Sequence, residues 1–189
     1  MNRREALNMV ALLMGGSIVG GTAFLEGCKS SDKNAMGIPF SKETIALLDE
    51  IAEIIIPTTD TPGAKAAQVG AFMNVMVKDC YEEKDQKIFV DGIKTLNDGA
   101  GKQFGKDFMN ISADQRKELL TAIDKEAAAY VKNKKKEDPN HYFTMMKQLT
   151  MLGYFTSEIG ATKALRYVPI PGKYEGCIDY KKGDRAWAL

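Results

Sequence analysis

Between Ser41 and Gly160 the apolar residues recur at spacings of three and four, and nowhere is a period of two sustained. That pattern admits helices and disfavours a sheet. Ser41 stands as an N-cap ahead of Lys42, Glu43 places an anion in the first turn, and Ile45, Leu48, Ile51, Ala52 and Ile55 share one face before Pro57 stops the helix. The run Thr58 to Lys65 is turn chemistry, with Pro62-Gly63 its sharpest break. A second helix is predicted over Val69–Tyr81 and a third over Glu83–Phe104, its end weakened by Gly99, Gly101 and Gly105. Ser112-Ala113-Asp114-Gln115 matches a capping box and opens a fourth helix. That helix closes in the cationic stretch Lys132 to Lys136, which suits its negative end. Asp138-Pro139-Asn140 breaks the chain before a last helix over roughly His141–Glu158. The expected fold is all-α, a single domain of about five helices spanning residues 41–160.

The first 27 residues do not belong to that domain. Arg3 and Arg4 precede an uncharged run from Met9 to Leu25 that contains Gly15, Gly16, Gly20 and Gly21. It is about 17 residues long, short of the roughly 20 that a membrane span needs. A charged start and a short apolar stretch form the layout of an export signal, and the paired arginines resemble a twin-arginine signal, which carries folded proteins across a bacterial inner membrane. Phe24-Leu25-Glu26-Gly27-Cys28 resembles a lipobox, with Glu26 an unusual residue before the glycine. Cys28 is then the lipidated first residue of the mature chain, and residues 28–40 are a flexible tether. An uncleaved anchor helix, or a plain secretory signal with an incidental cysteine, is the simpler alternative. The expected location is the periplasmic side of a bacterial membrane, lipid-anchored.

Composition narrows function mainly by exclusion. The 189 residues hold 26 Lys and Arg against 25 Asp and Glu, a net charge of +1 that gives no basic excess for nucleic acid. Loss of residues 1–27 leaves the balance unchanged, because Arg3, Arg4, Glu5 and Glu26 go together. The single histidine, His141, reads as a surface or capping residue at a helix start. Three cysteines exclude a four-ligand iron–sulfur cluster within the chain, and there is no C-x-x-C-H haem box. Cys80 and Cys177 are left with three options in an oxidising compartment: a disulfide with each other, a bond to a partner, or free thiols. Asp49, Glu50 and Glu53 read as the solvated side of the first helix, and the methionines of the last helix as core filling. No catalytic, cofactor-binding or metal constellation emerges. Residues 161–189 differ from the rest: Pro169, Pro171, Gly172, Gly176 and Gly183 alternate with Tyr167, Tyr174, Tyr180 and Trp187. This predicts an extended tail that packs either on its own domain or on a partner.

Several segments together resemble one known family. Leu152-Gly153-Tyr154-Phe155-Thr156-Ser157-Glu158-Ile159-Gly160-Ala161-Thr162, continued by Leu165-Arg166-Tyr167-Val168-Pro169-Ile170-Pro171-Gly172, is similar to the signature region of the gluconate 2-dehydrogenase subunit 3 family. So are Ile54 to Ala64, Asp79-Cys80-Tyr81, the ending Arg185-Ala186-Trp187, and the twin-arginine start. The resemblance implies a small, gamma-type subunit without flavin or haem of its own. Its partner would be a large subunit with FAD in a glucose-methanol-choline oxidoreductase fold, acting on a sugar, sugar acid or glycoside. A cytochrome c subunit, or another partner with haem c or an iron–sulfur cluster, would take the electrons. The small subunit would export and stabilise the large one, and Cys28 would tether it to the membrane. The contact surface expected from this is Gly153 to Gly172 with Trp187, and in particular Tyr154, Phe155, Arg166, Tyr167, Pro169, Pro171, Tyr174 and Trp187. A free-standing periplasmic lipoprotein with a binding or scaffolding role is the rival reading.

Overall fold

The computed structural model describes residues 40–170, 172–173 and 175–188. The export signal with Arg3 and Arg4, the lipidation site Cys28, the tether up to residue 39, and Pro171 and Tyr174 lie outside the described residues. The rest is all-α. Five α-helices follow in order: α1 (Lys42–Ile55), α2 (Val69–Cys80), α3 (Glu83–Phe104), α4 (Ala113–Asn133) and α5 (Tyr142–Thr156). A 3₁₀ turn, Phe108–Asn110, joins α3 to α4, and a π-helical turn, Gly160–Ala164, follows α5. Among the described residues the only β pairing is an isolated parallel bridge between Arg166 and Trp187.

The helix ends are local chemistry. Ser41 Oγ accepts from the Thr44 amide at 3.2 Å. Ser112 and Gln115 complete a reciprocal capping box at the start of α4. His141 caps α5, its Nδ1 accepting from the Phe143 amide at 3.2 Å. Burial holds the His141 pKa below its ordinary value, against the opposing pull of Glu126. Both observations agree with a capping role. Gly105 ends α3 in the left-handed region, at φ 72°, where a side chain would be strained.

α2 is capped from a distance. Gln68 precedes it with φ 54° and offers no side-chain cap. Asp49 of α1 takes that place, its Oδ1 accepting from the Gly70 amide at 2.7 Å. The far end of α2 is closed by Gln86 of α3, whose Nε2 donates to the carbonyls of Lys78 and Tyr81 at 3.0 and 3.1 Å.

α5 is the centre of the bundle and packs against each of the other four helices. Lys147 is its only charged residue, so it has little to offer water on any side. Phe143, Met145, Met146, Leu149, Thr150, Gly153 and Tyr154 are all buried. The buried Thr150 hydroxyl donates back to the Met146 carbonyl at 2.8 Å, which leaves no polar atom unpaired there. The other helices give one stripe each: Leu48, Ile51 and Ala52 from α1, Met73 and Val77 from α2, Phe89 and Leu96 from α3, and Leu119, Leu120 and Ile123 from α4.

Candidate functional site

Two of the segments that carry the family resemblance meet in space. The first is the loop 57–68 after α1. Glu53, in the last turn of α1, holds it: Oε1 accepts from the Thr58 amide at 2.9 Å and the Thr58 hydroxyl at 2.7 Å, and Oε2 from the Lys65 amide at 2.9 Å. The carboxylate lies where a Cβ on Gly63 would stand, so a larger residue there would push Glu53 off the bonds that hold the loop. Burial acts to raise the Glu53 pKa. The Thr58 hydroxyl, the two backbone amides and the Lys65 charge outweigh it and hold the group below the usual carboxylate range.

The second segment is the end of α5. The Tyr154 hydroxyl donates to the Pro62 carbonyl at 2.6 Å, across 92 residues of sequence. Ser157 then turns the chain, its hydroxyl donating to the Tyr154 carbonyl at 2.6 Å and accepting from the Gly160 amide at 3.0 Å. Gly160 sits directly against the Tyr154 carbonyl, leaving no room for a side chain. The π-helical turn closes with the Leu165 amide donating to the Gly160 carbonyl at 2.9 Å.

Beyond that turn the tail folds back on itself. The Arg166 amide donates to the Ala186 carbonyl at 2.7 Å, and the Ala188 amide to the Arg166 carbonyl at 2.9 Å. The Arg166 guanidinium stacks over the Trp187 ring, 4.4 Å from its centroid. It also donates to the Arg185 carbonyl at 3.2 Å and lies 3.7 Å from Asp184 Oδ2. This clasp closes a loop of roughly 20 residues, which costs on the order of 3 kcal/mol in chain entropy. Two net backbone hydrogen bonds and an exposed cation–π contact return about 2–4 kcal/mol together. The two sides nearly balance, so the clasp observed here holds the loop closed at little net cost.

The expected contact residues divide accordingly. Phe155, Tyr167, Pro169 and Trp187 are exposed, as are Leu152, Val168 and Ile170 beside them. Arg166 is half-buried and forms the clasp. Tyr154 is a correction: it is 2% exposed and belongs to the core, because its ring lies inside the bundle and its hydroxyl is satisfied by Pro62.

The reading of Asp49, Glu50 and Glu53 as a solvated face is also corrected. Asp49 caps α2, and burial raises its pKa despite the Gly70 amide. Glu50 pairs with Lys65 and with Arg116 of α4, the latter at 3.0 Å. Arg116 donates further to the Phe108 and Met109 carbonyls at 3.0 and 2.7 Å, fastening the 3₁₀ turn. No local spacing in the sequence signals this role of Arg116, which joins α1, α4 and the 3₁₀ turn. One sequence clue to Glu53 existed: an anion in the last turn of a helix is electrostatically misplaced unless something uses it.

Cys80 and Cys177 are exposed, free thiols, with no disulfide between them in this structure. Among the described residues, no three His, Cys, Asp or Glu side chains converge as a metal site, and no helix is long and apolar enough to cross a membrane. Tyr142, in the hollow between α3 and α4, is pushed by burial to a pKa of about 12, so its hydroxyl stays protonated. What the described residues present here is an exposed apolar tail set on a tightly fastened corner of the bundle.

No curated protein and no solved structure matches the chain. A family model described as gluconate 2-dehydrogenase subunit 3 matches residues 42–172, from the first residue of α1 to beyond the clasped Arg166. That span takes in the Glu53-held loop, the Tyr154–Pro62 contact and the Ser157 turn together, and the chain belongs to the gluconate 2-dehydrogenase subunit 3 family.

Proposed function

We propose that this protein is the non-catalytic small subunit of a dehydrogenase complex. It escorts a large FAD-dependent subunit through twin-arginine export, stabilises it, and tethers it to the periplasmic face of the membrane through Cys28. The large subunit oxidises a CH–OH group of a sugar, sugar acid or glycoside and passes electrons to a haem c or iron–sulfur partner. The family match over residues 42–172 carries this reading. The exposed apolar tail supports it, since Tyr, Trp and Pro in extended chain are typical of a contact surface with low ordering cost. A signal that accepts folded cargo suits a partner that must load FAD before it crosses.

The test is purification of the tagged chain from native membranes, followed by an absorbance spectrum of what accompanies it. A flavin spectrum on a larger companion chain is expected, and the purified small subunit alone should reduce no dye with sugars. Dye reduction by the small subunit alone would overturn the reading, as would its isolation free of any flavoprotein.

A further inference from the structure

The tail concentrates two properties that the rest of the surface does not share. Six of the twelve exposed large apolar side chains among the described residues lie between Tyr167 and Trp187, and Ile170 and Tyr180 are 84% and 83% exposed. Charge is also divided. Residues 160–189 carry six Lys and Arg against three Asp and Glu, a net of +3, whereas residues 41–159 carry sixteen against nineteen, a net of −3. Within the tail, Lys173 is paired with Glu175 at 3.0 Å and Arg166 with Asp184 at 3.7 Å. Lys163, Lys181, Lys182 and Arg185 have no carboxylate within salt-bridge distance among the described residues.

From these observations, and resting on the function proposed above, we infer that the Arg166–Trp187 clasp preforms the tail as a closed docking loop. Its receiving surface on the large subunit is apolar at the centre and acidic at the rim. Arg166 is a positioning residue: it holds Trp187 and the chain end, and so keeps Tyr167, Val168 and Ile170 and, further along the tail, Ile178 and Tyr180 within one closed loop. A loop closed in advance loses less freedom on docking than an open tail. The unpaired lysines and Arg185 then select an acidic rim and speed encounter, as charges at an interface edge do. Glu175, Asp179 and Asp184 are interspersed among the cations, an arrangement that fits a patterned protein surface better than a uniformly anionic bilayer.

The test uses the full-length chain co-expressed with the large flavoprotein, and measures the affinity and salt dependence of the purified pair. Trp187→Ala and Arg166→Ala should each weaken the complex about tenfold or more, the loss expected of an interface anchor. Trp187→Phe and Arg166→Lys should restore part of it. Lys181→Glu with Lys182→Glu should weaken binding mainly at low salt, and wild-type binding should weaken as salt rises. Helix content and melting temperature of the small subunit should stay unchanged, because the clasp lies outside the bundle. If the wild-type chain binds the flavoprotein and the clasp variants bind it equally well, the docking loop is overturned while the accessory role stands. If the wild-type chain binds no flavoprotein, both fall. Variants that lose sedimentation with phosphatidylglycerol vesicles, or lose self-association, while keeping the flavoprotein would reassign the loop and overturn the inference.

Discussion

Tyr154 and Phe155 are neighbours with opposite duties. The Tyr154 ring is inside the bundle with its hydroxyl on Pro62, while Phe155 is 37% exposed beside the tail. Tyr154→Phe removes one buried hydrogen bond and strands a carbonyl. It should cost about 1–2 kcal/mol in denaturant melts and leave partner affinity alone. Phe155→Ala should do the reverse, with little change in stability and a measurable loss of binding to the large subunit. His141 supplies a second test. Its cap requires a neutral imidazole, and burial holds its folded pKa below the ordinary value of 6.5. The unfolded chain therefore takes up a proton first as pH falls through about 6.5, and stability drops from there down to the folded pKa. His141→Asn keeps a capping side chain without the titration. Melting temperatures between roughly pH 7.5 and roughly pH 5.5 should fall further for the wild type than for this variant.

Among the elements, α2 has no cap of its own. Asp49→Ala leaves the Gly70 amide without its partner and should cost about 1 kcal/mol, seen as faster amide exchange in the first turn of α2. Asp49→Asn keeps the acceptor and removes a charge that burial disfavours, so its stability at neutral pH should match or exceed the wild type. Equal losses for both variants would contradict the capping role. Helix spans were legible beforehand because a cap, a stop and a repeat of three or four are contacts between near neighbours. The capping box at Ser112 and the stop at Pro57 needed no tertiary information. The 3₁₀ turn at Phe108 was not legible, because it is fastened by Asn97 and Arg116 from two different helices. Asp49, Glu50 and Glu53 misled for the same reason: on an isolated helix they would face water, and only folding brings Gly70, Arg116 and Thr58 to them.

For the whole molecule, the proposed role separates into steps that can be cut one at a time. Arg3→Lys with Arg4→Lys should strand the large subunit, flavin loaded, in the cytoplasm, as read by fractionation and flavin absorbance. Cys28→Ser should leave export intact and shift the complex from the membrane to the soluble periplasmic fraction. A complex that stays in the membrane after Cys28→Ser would place the anchor elsewhere. Neither change touches residues 40–188, so the helical domain should melt as the wild type does.

By itself the sequence determined the helical class, the five spans and most of their caps, because these depend on residues three or four apart. It also carried the family resemblance through Ile54 to Ala64 and Leu152 to Gly172. The tertiary structure alone decided that these two stretches touch through Tyr154 and Pro62, and that Glu50 meets Arg116 across 66 residues. It also decided that Arg166 clasps Trp187. No local period encodes such contacts, because they form only when burying α5 among the other helices fixes where each loop emerges.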